Sequence, residues 1–284
     1  MTLYVSYNTG ALRKAVYAAG GGQTLETDKS FDSDFLMDKN LLITGGSRGI
    51  GAATAVLAAS QGYRVCINYL SDHDAAERVC GQIREAGGHA IAIQADVSNE
   101  DEIIRLFSRL DSELGRIDAL VNNAATVAEQ TRVEQMSEFR MLKMMMSNVV
   151  GPMLCSKHAL LRMLPRHGGR GGSIVNVSSM AARLGSPGEY VDYAASKGAL
   201  DTFTIGLAKE VAGESIRVNA VRPGYIFTEF HALSGDPQRV SKLESTLPMG
   251  RGGLADEVAE AILWLLSDKA SYSTGTFIDL GGGR

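Results

Sequence analysis

From Asn40 to Leu280 the chain alternates short apolar runs with longer stretches whose apolar residues recur every three to four positions. This pattern predicts strands at residues 41–43, 64–68, 90–94, 119–122, 173–177, 217–220 and 276–280. It predicts helices at residues 50–61, 74–86, 100–114, 137–164, 193–212 and 256–267. Strands separated by helices need crossover connections, which produce a parallel sheet covered on both faces. The expectation is an α/β fold with a doubly wound parallel sheet in a single domain over residues 37–284. The 32 glycines against 6 prolines suit many tight turns and few broken helices.

Composition narrows the function. A net charge of -4 argues against nucleic acid or an anionic membrane as the main partner. The three cysteines, Cys66, Cys80 and Cys155, are too few and too scattered for a disulfide framework or a zinc ribbon, and they suit the cytoplasm. His158 and His231 have no second ligand at coordinating spacing, so no metal is expected. Residues 1–36 break the alternation, with Gly20-Gly21-Gly22 leading into a polar run to Asp34. They read as a flexible extension, a cloning remnant or an upstream start, with Met37 an alternative first residue.

Thr44-Gly45-Gly46-Ser47-Arg48-Gly49-Ile50-Gly51 stands where the first strand turns into the first helix. There Gly45 permits the turn, Gly49 lets a diphosphate approach the backbone, and Gly51 lets the helix pack against the sheet. Uncovered N–H groups and the positive end of the helix dipole favour the diphosphate. The loop residues Gly45, Ser47, Arg48, Gly49, Ile50 and Gly51 are therefore candidates for holding a dinucleotide. A site selecting NAD places a carboxylate at the end of the second strand. Here that window is Asn68-Tyr69-Leu70-Ser71, without an acid; Asp72 follows it. Arg48 adds a fork of donors suited to a 2′-phosphate. NADP(H) is thus favoured, with NAD(H) possible, and Asn68, Tyr69 and Ser71 are candidate contacts.

Tyr193 and Lys197 lie four apart on a helix and share a face. A phenol is a poor base at neutral pH, and an ammonium beside it should lower its pKa. Tyr193 could then exchange a proton with an alcohol or carbonyl as a hydride moves. A hydroxyl from Ser178 or Ser179, at the end of the preceding strand, could hold the substrate oxygen.

The spacing Thr-Gly-x-x-x-Gly-x-Gly resembles that of the short-chain dehydrogenases/reductases. Further motifs stand in order: Asn122-Asn123-Ala124-Ala125, with Ala125 in place of the usual glycine, then Tyr193-x-x-x-Lys197 and Arg222-Pro223-Gly224. The resemblance covers about residues 39–284, is to the short single-domain branch, and is strongest to bacterial glucose-1-dehydrogenase-like members. It implies a Rossmann-type fold and an NAD(P)-dependent oxidoreductase acting on an alcohol/carbonyl pair. Ser179, Tyr193, Lys197 and Asn148 are implied as the catalytic set. Ser179 precedes Tyr193 by 14 residues where many relatives have 13, so Ser178 stays an alternative. Lys197 is also implied to hold the nicotinamide ribose, and Asn148 to bend its helix around a water. Asp96 and Val97 are implied to hold the adenine, with an N-capping Asp96 as the competing reading. Asn123 and Ala124 are implied to line the cofactor site, and Pro223, Gly224, Ile226 and Thr228 to face the carboxamide. A homo-tetramer is implied, with a dimer next. Residues 229–247 read as a mobile substrate lid, and the methionines around Asn148 as core and interface filler. A sugar or a 3-oxoacyl compound are the substrate readings. A catalytically silent NADP-binding sensor or scaffold is the alternative function, against which the complete Ser-Tyr-Lys set argues.

Overall fold

In the computed structural model, residues 3–6, 12–15 and 39–284 are described. Leu3–Ser6 and Leu12–Ala15 pair as an antiparallel hairpin in a unit of their own, Met1–Met37. The rest of the expected extension lies outside the described residues. The second unit, Asp38–Arg284, carries the alternating pattern.

Its strands are β1 (Asn40–Ile43), β2 (Arg64–Tyr69), β3 (His89–Gln94), β4 (Ala119–Asn122), β5 (Gly172–Val177), β6 (Ile216–Pro223) and β7 (Phe277–Leu280). They form one seven-stranded parallel sheet in the order β3-β2-β1-β4-β5-β6-β7. The order reverses between β1 and β4, which opens a crevice at the carboxyl ends of those strands.

The helices are α1 (Gly49–Ser60), α2 (His73–Glu85), α3 (Glu100–Glu113), α4 (Glu138–Met145), α5 (Gly151–Met163), α6 (Val191–Val211) and α7 (Ala255–Leu266). Successive strand residues point to opposite faces, so one strand feeds two cores. Leu41, Ile43, Val65 and Ile67 pack with Ala55 of α1, Val79 of α2 and Ile262 of α7. Leu42, Cys66, Leu120 and Ile174 pack with Phe107 of α3, Cys155 of α5 and Leu207 of α6. Both faces of the sheet are thus covered, as the near-continuous apolar strands require.

One expected element differs. The single helix over 137–164 is interrupted by a π turn, Met146–Val150, between α4 and α5. Pro152 lies in the first turn of α5. It has no N–H for the carbonyl four residues back and its ring crowds that carbonyl, so a regular helix cannot run through. That carbonyl belongs to Asn148, and the interruption sets its side chain beside the site.

Candidate active site

A cavity of about 1210 Å³ lies over the carboxyl ends of the strands. One part of it is the glycine loop. Gly45 and Gly49 have φ of +62° and +52°, which a side chain would strain. A Cβ on Gly51 would stand 2.4 Å from the Gly45 carbonyl, so only glycine lets α1 approach this closely. Arg48, at the start of α1, makes no side-chain cap, and the first turn holds no acid. The N–H groups and dipole of that end are therefore left for an anion. These features fit a dinucleotide diphosphate.

The loop is also braced by residues expected to line the cofactor site. Asn123 Nδ2 donates to the carbonyls of Thr44 and Gly45, at 2.9 Å each. Asn68 Oδ1 accepts from Gly45 N, and its Nδ2 donates to Ala95 O at 2.9 Å. Both amides are spent on bracing the backbone although both residues reach the cavity wall. Thr44 Oγ1 accepts from the N–H groups of Asn123 and Ala124 at 3.0 Å, which locks the two strand ends together. Ser47, Ile50, Tyr69, Ser71 and Val97 also line the cavity, whereas Gly51 lies beneath its floor. Asp96 Oδ1 accepts from Ser98 N and Oγ, while Asn99 caps α3. The capping reading of Asp96 therefore does not hold.

The sequence reading set Asp72 aside as lying past the strand. The structure brings it back: it caps α2 and its Oδ2 is 3.1 Å from Arg48 Nη2. Arg48 is thus partnered, and a carboxylate stands where the strand window has none.

Across the cavity, Met180 N donates to Pro223 O, and Gly224 N to Leu280 O at 3.0 Å. Ile226 pairs with Gly253 in a short parallel ladder. The side chain of Thr228 packs directly over Gly49, and its Oγ1 accepts from Phe230 N. The stretch expected to be a mobile lid is folded, with a helical turn at Glu229–Ser234, a short helix at Arg239–Leu243, and Ser234, Arg239, Val240 and Leu247 buried.

The reactive group positions come from β5 and α6. Tyr193 faces the cavity, and Lys197 Nζ lies 5.7 Å from its ring centroid. Nζ donates to Val177 O at 2.7 Å and is otherwise enclosed. Burial holds the ammonium down to about 8, against a pull upward from Asp201 one turn along the helix. Burial also pushes the Tyr193 phenol up to about 12, with the adjoining Ser179 hydroxyl pulling back. The expected lowering of the tyrosine by the lysine is not found: loss of hydration is the largest influence, and Lys197 is not among the groups that shift the phenol. Ser178 Oγ instead donates to Lys197 O, which turns it into the helix backbone. Ser179 is the serine beside the phenol.

Asn148 is completely buried. Its Oδ1 accepts from Thr126 N at 2.8 Å, and its Nδ2 donates to Thr126 O at 2.9 Å and to Ser196 Oγ at 3.1 Å. It thereby ties the loop after β4 to α6 within one turn of Tyr193. Behind it, Asn122 donates to Asn176 and Asn176 to Thr204, a buried polar line from β4 through β5 to α6. Among residues the sequence reading did not assign to the site, Phe139, Leu142, Lys143 and Met146 line the cavity, as do Glu189 and Arg284. The i, i+3, i+7 spacing of Phe139, Leu142 and Met146 was the available signal, as was Pro152 for the turn below it.

A strand order that reverses at a glycine loop, with a serine, tyrosine and lysine gathered on one cavity wall, defines a class of nucleotide-dependent oxidoreductase folds. The chain belongs to the short-chain dehydrogenase/reductase family. Residues 45–284 match the family profile described as enoyl-(acyl carrier protein) reductase. The chain is 55% identical over 243 residues to an Escherichia coli K12 protein described as uncharacterized oxidoreductase YgfF, covering 86% of this chain and 98% of that one. It is 35% identical over 247 residues to a 3-oxoacyl-[acyl-carrier-protein] reductase of Staphylococcus epidermidis, covering 87% and 99%. A doubly substituted short-chain dehydrogenase/reductase of Serratia marcescens superposes with a TM-score of 0.80 at 32% identity, covering 87% and 98%.

Proposed function

We propose that the chain is an NADP(H)-preferring oxidoreductase that interconverts an alcohol and a carbonyl. When bound, the nicotinamide supplies or accepts the hydride. In the reducing direction Tyr193 gives its phenolic proton to the substrate oxygen as the carbon is reduced, and the phenolate is reprotonated from water. In the oxidising direction the proton moves the other way. Ser179 donates to the same oxygen and holds it where charge develops. Lys197 stabilises the phenolate and orients the ribose, and Asn148 positions α6 through Ser196 and Thr126. Gly45, Gly49 and the open end of α1 hold the diphosphate, and Arg48 reaches a 2′-phosphate.

The observation that carries this reading is the meeting of Ser179, Tyr193 and Lys197 on the wall of the cavity that also holds the glycine loop. NADP(H) over NAD(H) rests on the acid-free window 68–71 and on Arg48. The Asp72 partner of Arg48 keeps the preference modest. The 3-oxoacyl reductase relative favours an oxo compound over a sugar as substrate. The protein is read as cytoplasmic. The exposed apolar side chains Phe139, Leu142 and Leu161 on α4 and α5 suit burial in a homo-tetramer, which light scattering at micromolar concentration checks. Turnover tests the function: NADPH oxidation by the full chain across a panel of aldehydes, ketones and oxo esters. Oxidation with at least one is expected. Tight NADPH binding with no turnover on any of them favours the silent sensor or scaffold instead.

A further inference from the structure

The cavity continues past Tyr193 along a line of aromatic rings. The Tyr190 ring meets Tyr193 edge-on, with centroids 6.4 Å apart. Arg239 lies over Tyr190, its Cζ 5.3 Å from that ring, and 5.4 Å from the ring of Tyr225. Arg284 approaches the same Tyr225 from another direction, donating from Nη1 to the phenol oxygen at 2.7 Å. All five residues line the cavity.

Arg239 is an unusual residue to find there. It is only 5% exposed, and buried guanidinium groups are ordinarily fully paired. Its Nη2 donates to Glu189 at 2.6 Å and reaches Tyr225 Oη at 3.4 Å. Its Nε–H is buried with no partner among the described residues. The two guanidinium groups meet at one phenol oxygen, and Glu189 is bonded to Arg239; Glu229 also lines the cavity without contacting either. At the nucleotide end, by contrast, Arg48 is paired with Asp72. Arg239 Nε–H thus stands as a buried donor still to be bonded, with the exposed Arg284 guanidinium at the same phenol, in a partly dehydrated setting where a carboxylate would be bound strongly and with directional bonds.

We propose that the substrate carries a carboxylate that seats against Arg239 and Arg284 while its carbonyl lies at Tyr193. The substrates are then oxo acids, and the products the matching hydroxy acids. This rests on the oxidoreductase reading above. The hydride and proton go to the carbonyl, and the carboxylate takes no part in bond making. Arg239 acts by selecting and orienting. Glu189, itself on the cavity wall, holds the guanidinium in place through Nη2.

The test is binding, so that it does not depend on turnover. The full chain, saturated with NADP, is titrated calorimetrically with methyl-ketone oxo acids of roughly four to eight carbons and with their methyl esters. At least one acid is expected to bind about tenfold or more tighter than its ester, the size of one charge-assisted contact. Arg239→Met should bring that ratio to about one, and Arg284→Met, at an exposed residue that folding tolerates, should lower it about threefold. Acids that bind no tighter than their esters in wild type, or a ratio that survives both substitutions, overturn the proposal. Acids that bind as expected but never oxidise NADPH uphold the anion site and overturn only the reading on which it rests. NADPH oxidation with esters but not with acids does the reverse.

Discussion

The two ends of the cavity are built by different means. At the nucleotide end the fold works through backbone: glycines with positive φ, an uncapped helix start, and asparagine amides consumed in fixing a loop. Such a site is rigid before anything binds, because each brace is a hydrogen bond between groups the strands already place. At the substrate end the fold works through long side chains from distant segments: Tyr190 at the start of α6, Tyr225 after β6, Arg239 from a short helix and Arg284 after β7. That end holds a buried charge with a free N–H. The difference teaches that the shared chemistry rests on geometry few substitutions can reproduce, while specificity rests on side chains that can change without disturbing the sheet.

The largest effect on both ends at once falls where they join. Lys197→Ala should lower turnover on the order of 10²-fold and also weaken NADPH binding on the order of tenfold, since one ammonium is proposed to serve phenol and ribose. Steady-state kinetics with fluorescence titration separates the two. Slowed turnover with untouched NADPH affinity would remove the ribose contact from the account.

Next comes the nucleotide end alone. Gly51→Ala places a Cβ 2.4 Å from the Gly45 carbonyl and 2.6 Å from Asn123 Nδ2. The overpacking should cost about 1–3 kcal/mol of stability and open the loop proposed to hold the diphosphate. Chemical denaturation and NADPH titration should move together. An unchanged Kd would break the claim that this end depends on backbone closeness.

A smaller effect sharpens the comparison at its charged edge. Arg48→Ala should reduce the NADPH-over-NADH preference by roughly tenfold, the loss of one charge-assisted contact. Asp72→Asn should raise it by roughly two- to fivefold, because the pair is half exposed and its attraction screened. Equal affinity for the two cofactors in wild type would refute the preference itself.

The smallest effect is one of pH. The Lys197 ammonium loses its proton near about 8 in the folded chain but near 10.5 when unfolded. Between those values the unfolded chain binds more protons, so this residue's contribution to stability rises with pH. The urea midpoint of wild type relative to Lys197→Met should therefore increase from about pH 8 to about 10.5. A flat difference would place the lysine in a wetter setting than the structure has it.

Much of the fold was legible because strand and helix periods differ, and both cores follow from alternation along β1, β2 and β4. The glycine loop and the Tyr193–Lys197 face were legible for the same reason: their meaning lies in local spacing. What was not legible depends on contacts across the chain. Asn68 and Asn123 read as ligand contacts, and their bonds to Thr44, Gly45 and Ala95, just past the ends of neighbouring strands, could not be read from sequence. Asp72 was passed over because its return to Arg48 depends on where α2 begins. The interruption at Asn148 did have a signal, Pro152, set inside a helix that the apolar period alone made continuous. The direction of the Tyr193 shift was misjudged because a residue's loss of hydration cannot be counted from its neighbours in sequence.

The central claim is that Tyr193 is the proton donor at a site otherwise complete without it. Tyr193→Phe removes the proton and leaves the ring against Tyr190 and Phe230. The direct measurement is single-turnover NADPH oxidation by wild type and Tyr193→Phe on the same carbonyl, with NADPH affinity measured in parallel. The account predicts a loss of about 10²–10⁴-fold in rate with NADPH binding nearly unchanged. A rate close to wild type would contradict it.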